Sequence, residues 1–315
     1  MDAQAKLESV LDGVRVLDGG FASELEYQGA DIGGPLWSAH VLEDEPERVV
    51  AVHRAYLEAG ADCILTASYQ VSRMGYAEFG LPAPRADQAL LKAAELAHRA
   101  IEEWRIVSEE TRRVVVAASL GPFGAALHNG SEYHGNYGRS FEEIAAFHRS
   151  RIEVLGAAMQ RGDENVPDLL AFETLPSLEE ARAIITALEG WGQIPAWFSF
   201  TCRDEMHVAH GELLSECVAL VAALPQTVAL GVNCTHPALI ENLIGELRSA
   251  TKKPIVVYPN SGEGWDAEKR VWTGASDASG FGVSAKRWFA AGAQIVGGCC
   301  RTRPEHVLKI AASAL

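Results

Sequence analysis

The chain has 315 residues, 48% of them hydrophobic and 22% charged, and its 27 basic against 42 acidic side chains give a formal net charge of −15. This is the composition of an ordinary folded enzyme, and the acidic excess argues against nucleic acid or an anionic membrane as partner, because both require clustered positive charge. The opening MDAQAKLESVLDG has no basic start or long apolar run, no stretch approaches the roughly eighteen apolar residues of a membrane span, and the six cysteines lack paired spacing, so a cytoplasmic protein in a reducing compartment is expected.

Eight short apolar, β-branched-rich runs recur in chain order, at 14–20, 63–69, 114–121, 169–174, 196–201, 228–234, 255–260 and 295–300. Continuous apolar runs alternating with helical pattern mark parallel strands covered on both faces. After the first run, Pro46 opens a helix, Val49, Val52 and Tyr56 space its apolar stripe, and Gly60 stops it. A second helix over 87–104 places Leu90, Ala94, Ala97 and Ile101 on one face. Further helices fit Phe141–Arg161, 177–188, 212–224, 237–247, 280–291 and 304–315. Eight strand–helix units predict the α/β class and a single (β/α)8 TIM barrel, one domain over 1–315. An open doubly wound sheet is the alternative, but no Gly-x-Gly-x-x-Gly follows the first strand. No linker divides the chain, and the long loop 122–139 is expected to be a lid.

Barrel enzymes carry their chemistry at the C-terminal ends of the strands. Those ends here hold Asp18-Gly19-Gly20, Ser68-Tyr69, Ser119, Glu173-Thr174, Thr201, Cys234, Tyr258 to Asn260, and Cys299-Cys300. Cys234 closes one run and the pair Cys299-Cys300 closes another, the pattern of a three-thiolate metal site. Zinc is the first candidate, since thiolates are soft ligands and three protein ligands leave one tetrahedral position for a substrate. Three small core residues or a disulfide are the alternatives. His236 and the H-x-x-H pair His207 and His210 are weaker metal candidates, and Cys63, Cys202 and Cys217 are expected in the core.

The segments LDGGFASELE, LTASYQ, SLGPFG, FETLPS, GVNC and GGCCRTRPEH resemble, over residues 16–304, the homocysteine S-methyltransferases, a family of zinc-dependent barrel enzymes. GPLWSA, GSEYHGNY, WFSFTCRDE and VVYPNSGE look most like the branch that takes S-methylmethionine or S-adenosylmethionine as methyl donor. The resemblance implies zinc on Cys234, Cys299 and Cys300, with homocysteine near the Asp18-Gly19 turn, Ser68 and Glu173. Gly20-Phe21 departs from the Ala-Met that relatives often carry.

The partners implied are small molecules, homocysteine and a sulfonium donor. Glu173 would pair with the substrate ammonium, with a helix-capping role as the alternative. Gly19 and Gly20 would bring backbone N–H groups to a carboxylate. Ser68 and Ser119 would add donors unless they make local turn bonds. Asp18 would organise the turn and a second hydrogen bond. Trp37 would face the sulfonium unless it packs under the loop. Rival readings are selenocysteine as acceptor, betaine as donor, or a non-catalytic zinc or redox thiol protein.

Overall fold

The computed structural model describes residues 5, 7, 9–31, 37–266, 271–273 and 277–314; over 37–40, 264–266 and 271–273 only the backbone course is described. Seven parallel strands make one sheet: β1 (Cys63–Leu65), β2 (Val115–Leu120), β3 (Leu169–Leu175), β4 (Ala196–Phe200), β5 (Thr227–Asn233), β6 (Ile255–Tyr258) and, beyond a hairpin, β9 (Ile295–Val296). The hairpin is β7 (Gly264–Asp266) against β8 (Val271–Thr273), antiparallel and unforeseen in the sequence. The sheet order is β1-β2-β3-β4-β5-β6-β9, each neighbour pair parallel, with helices between most of them.

Every residue of β2 to β6 is buried, which is why these strands are continuous apolar runs. Side chains alternate between two cores. Ile64, Val116, Leu170, Phe172, Phe198, Leu230 and Val257 pack outward with the helices. Leu17, Cys63, Val115, Ala117, Leu169, Ala171, Trp197, Ala229 and Val256 pack on the opposite face of the sheet. Several helices begin at residues whose chemistry favours a helix start. Ser140 and Glu143 form a capping box on Phe141–Arg161, Ser177 caps Leu178–Ala187, and prolines open Pro46–Glu58 and Pro304–Ala311. The expected 87–104 helix is longer, Ala83–Ser108, and 237–247 starts as a 3-10 turn before Ile240–Ala250.

The ends of the sheet differ from expectation. The first run, 14–20, forms no strand. Val16 bridges to Val296 and Leu17 to Cys63, both parallel, before Asp18 to Gly20 turn the chain into the helix Phe21–Tyr27. The last run pairs only at Ile295–Val296, because 297–300 bend into the site described below. Both edge strands thus bridge the same two-residue segment. Among the described residues no helix is long and apolar enough to cross a membrane.

Candidate metal and substrate site

The period-two pattern of the inner face continues to the strand ends. Ser119 follows Ala117, Glu173 follows Ala171, Ser199 follows Trp197, Asn233 follows Gly231 and Tyr258 follows Val256, so an apolar face finishes in a buried polar layer. Asn233 ties this layer together. Its Oδ1 accepts from the Thr174 backbone N–H at 2.7 Å and from Ser199 Oγ at 2.8 Å, and its Nδ2 donates to Thr174 Oγ1 at 2.8 Å. Thr174 has φ 59°, at a register shift in β3 that only such specific bonding holds.

The three predicted thiols converge above this layer. Cys234 lies just past β5 with φ 51°, its N–H donating to the Tyr258 carbonyl at 3.2 Å. Its Sγ is 3.4 Å from that of Cys300 and 3.1 Å from that of Cys299, and all three sulfurs lie within 4.8 Å of one another. The Gly297-Gly298 pair explains how the third and second thiols get there. A Cβ on Gly298 would sit 2.2 Å from Thr302 Oγ1, and one on Gly297 would sit 2.6 Å from Leu17 Cβ. Only glycine lets this turn pass so close to the chain.

The set suits a soft metal. Tetrahedral thiolates at a Zn–S distance of about 2.3 Å stand about 3.8 Å apart, a small outward movement from the positions seen. Hydrogen bonds from Cys234 and Cys299 pull the Cys300 thiol well below its ordinary value. Its bond to Cys234 pushes Cys299 up; Cys234 gains from Cys299, but its bond to Cys300 and burial carry it up as well. Three thiolates this close need a cation to ionise together, so metal binding would release protons.

Beside the thiols is a cavity of about 180 Å³, lined by Gly19, Gly20, Ser119, Glu173, Cys234, Cys299 and Cys300 among the predicted residues. Among the described residues no Lys, Arg or His lines it. Glu173 is 5% exposed and accepts from Ser119 Oγ. Burial raises its carboxyl to about 7, against the opposing hydrogen bond from Ser119. The site is therefore rich in potential negative charge, with no basic side chain among the described residues to balance it.

Other expectations need correcting. Ser68 is turned into the wall, its Oγ donating to the Ser119 carbonyl at 2.8 Å beside Thr66 Oγ1 at 2.6 Å. The Gly20 N–H is taken by Thr302, at 3.0 Å to Oγ1, so it does not serve a substrate carboxylate. Gly20 is needed for space instead, since a Cβ there would meet the Cys299 carbonyl at 2.5 Å. Asp18 lies below the cavity, with Oδ2 accepting from the Leu65 N–H at 2.8 Å and Oδ1 buried without a partner; burial pushes its carboxyl well up. The Trp37 side chain lies outside the described residues. His207 and His210 pair locally with Asp204 at 2.9 Å and Glu212 at 3.1 Å, and among the described residues only the three cysteines form a metal-ligating group. Cys63, Cys202 and Cys217 are buried in the core as expected.

Among the wall residues not foreseen as site residues are Glu132 and Tyr133, from the loop 122–139. The Tyr133 hydroxyl is 3.7 Å from Cys234 Sγ, and burial raises the Glu132 carboxyl to about 6. Their loop has no periodicity to place them. Its length and the GSEYHGNY resemblance were the hints of a role.

Three soft ligands opening on a small cavity of an α/β scaffold form a cluster that could hold a metal ion. The chain belongs to the homocysteine S-methyltransferase family, whose model matches residues 15–314. It is 43% identical over 302 residues to Homocysteine S-methyltransferase YbgG of Bacillus subtilis, covering 95% of this chain and 94% of that one. It is 41% identical over 312 residues to Selenocysteine Se-methyltransferase of Brassica oleracea, covering 95% and 88%. The solved structure of the homocysteine methyltransferase MmuM from Escherichia coli in its metallated form matches with a TM-score of 0.85 at 39% identity, over 98% and 99% of the two chains. The protein is thus an enzyme of the methyltransferase class.

Proposed function

We propose that the protein transfers a methyl group from a sulfonium donor to the thiolate of L-homocysteine, forming methionine, with zinc on Cys234, Cys299 and Cys300. The scaffold is a (β/α)8 barrel whose eighth strand is reduced to the bridged pair Val16-Leu17. One observation carries the reading: three thiols converge on a cavity that holds a buried carboxylate and, among the described residues, no basic side chain.

Zinc bound there would supply a Lewis acid that keeps the acceptor sulfur as thiolate. A free thiol of pKa about 8.5 is only about 3% ionised at pH 7. Full ionisation therefore gains about thirtyfold, and the accompanying fall in nucleophilicity offsets much of it. The residues must then supply rate by positioning. Glu173 pairs with the acceptor ammonium, Ser119 orients Glu173, and Asn233 fixes the strand ends that carry both the carboxylate and Cys234. Three thiolates and a substrate thiolate around a divalent cation leave a net negative charge, which favours a cationic donor. Such a donor departs as a neutral thioether, so its leaving group needs no general acid. The segments GPLWSA, GSEYHGNY and VVYPNSGE, which resemble the sulfonium-using branch, favour S-methylmethionine or S-adenosylmethionine as that donor. The similarity to a selenocysteine Se-methyltransferase supports selenocysteine as a second acceptor.

Methionine formation from homocysteine with S-methylmethionine, S-adenosylmethionine and betaine, with and without a chelator, tests the reading. Turnover should be fastest with S-methylmethionine and should stop on chelation. Betaine outpacing both sulfonium compounds would overturn the donor, and chelator-resistant activity would overturn the metal.

A further inference from the structure

Among the described residues Glu132 and Glu173 are the two carboxylates on the cavity wall. They sit at different depths. Glu173 is at the strand ends, 5% exposed and bonded to Ser119, whereas Glu132 is half-buried and comes from the loop 122–139. The loop pins Glu132 in place. Ser131 is buried, its N–H donating to Asn129 Oδ1 at 3.0 Å and its Oγ reaching the Gly124 carbonyl at 3.4 Å. A Cβ on Gly124 would stand 2.5 Å from the Glu132 backbone nitrogen, so the two strands of the loop touch. Yet Glu132 Oε2 is buried and has no hydrogen-bond partner. A carboxylate oxygen held dry and unpaired costs free energy unless something cationic meets it. Tyr133, with its hydroxyl 3.7 Å from Cys234 Sγ, shows that this part of the loop lies against the thiols.

In-line methyl transfer puts the donor sulfur on the far side of the methyl group from the acceptor sulfur. With the acceptor ammonium at the deep Glu173, the donor occupies the outer part of the cavity, beside Glu132. We infer that Glu132 is the recognition residue for the donor, pairing with the α-ammonium of an amino-acid sulfonium, so that the enzyme selects donors carrying that ammonium and not merely a methylated sulfonium centre. The inference rests on the sulfonium reading above and adds the part of the donor that is recognised.

The test compares S-methyl-L-methionine with 3-dimethylsulfoniopropanoate, a dimethylsulfonium carboxylate that has no ammonium, using the zinc-loaded full chain and saturating homocysteine. Wild-type kcat/KM should favour S-methylmethionine by about tenfold or more, the range for a hydrogen bond to a charged group. Glu132→Gln should raise the S-methylmethionine KM by a similar factor. It should leave the KM for homocysteine and the zinc content unchanged, and should barely alter turnover of the ammonium-free donor. Equal use of both donors by the wild type would overturn the inference whatever the variant does. So would an equal loss with both donors, or a change confined to homocysteine. A wild type that uses neither sulfonium compound, while another methyl donor works, would instead sink the sulfonium reading beneath it.

Discussion

Replacing Glu173 by glutamine separates the stability of the site from its function. Burial raises the Glu173 carboxyl from an ordinary 4.5 to about 7 in the metal-free protein. A carboxyl raised on folding contributes favourably while both states are protonated, and loses that contribution as pH climbs from about 4.5 through about 7. Above that window the folded protein carries an ionised, buried carboxylate. The gap, at about 1.4 kcal/mol per pH unit, amounts to about 3 kcal/mol. Glutamine mimics the neutral acid. Glu173→Gln should therefore be nearly neutral for stability at pH 4.5 and should stabilise the metal-free protein by up to about 3 kcal/mol at pH 8. The same change should weaken homocysteine at least tenfold, since losing one member of a buried charge pair costs about 2–5 kcal/mol. Urea unfolding of both proteins at the two pH values, with calorimetry of homocysteine binding to the zinc-loaded forms, measures both effects. A stability difference that does not grow with pH would refute the burial argument, and unchanged homocysteine affinity would show that the carboxylate does not meet the ammonium.

Serine at Cys234, Cys299 or Cys300 should abolish stoichiometric zinc in each single variant, read by metal analysis after purification. Gly298→Ala should destabilise the protein by about 1–3 kcal/mol, because its Cβ would collide with Thr302 Oγ1; thermal unfolding checks this, and zinc affinity should fall with it. Ser68→Ala should cost about 1–2 kcal/mol through the lost bond to the Ser119 carbonyl, with the homocysteine KM essentially unchanged in steady-state kinetics.

The sequence by itself determined the α/β class, most of the sheet's strands, the three converging thiols and the family. Those features are local and repetitive: a strand buried on both faces must be continuously apolar, and ligands that finish strands are carried to one rim by the alternation of strand and helix. Ser68 and Gly20 were misjudged because a residue type at a strand end says nothing of which way its polar atom turns. Thr302, distant in sequence, takes the Gly20 N–H, and the Ser119 carbonyl takes the Ser68 hydroxyl. Only the tertiary structure decided that Gly297 and Gly298 serve close packing against Leu17 and Thr302, and that the first run is spent on two bridges. It also brought Glu132 and Tyr133 to the thiols. Their loop has no period and no regular partner, so its course is set by contacts with Gly124 and Cys234, which are made only when the chain is folded.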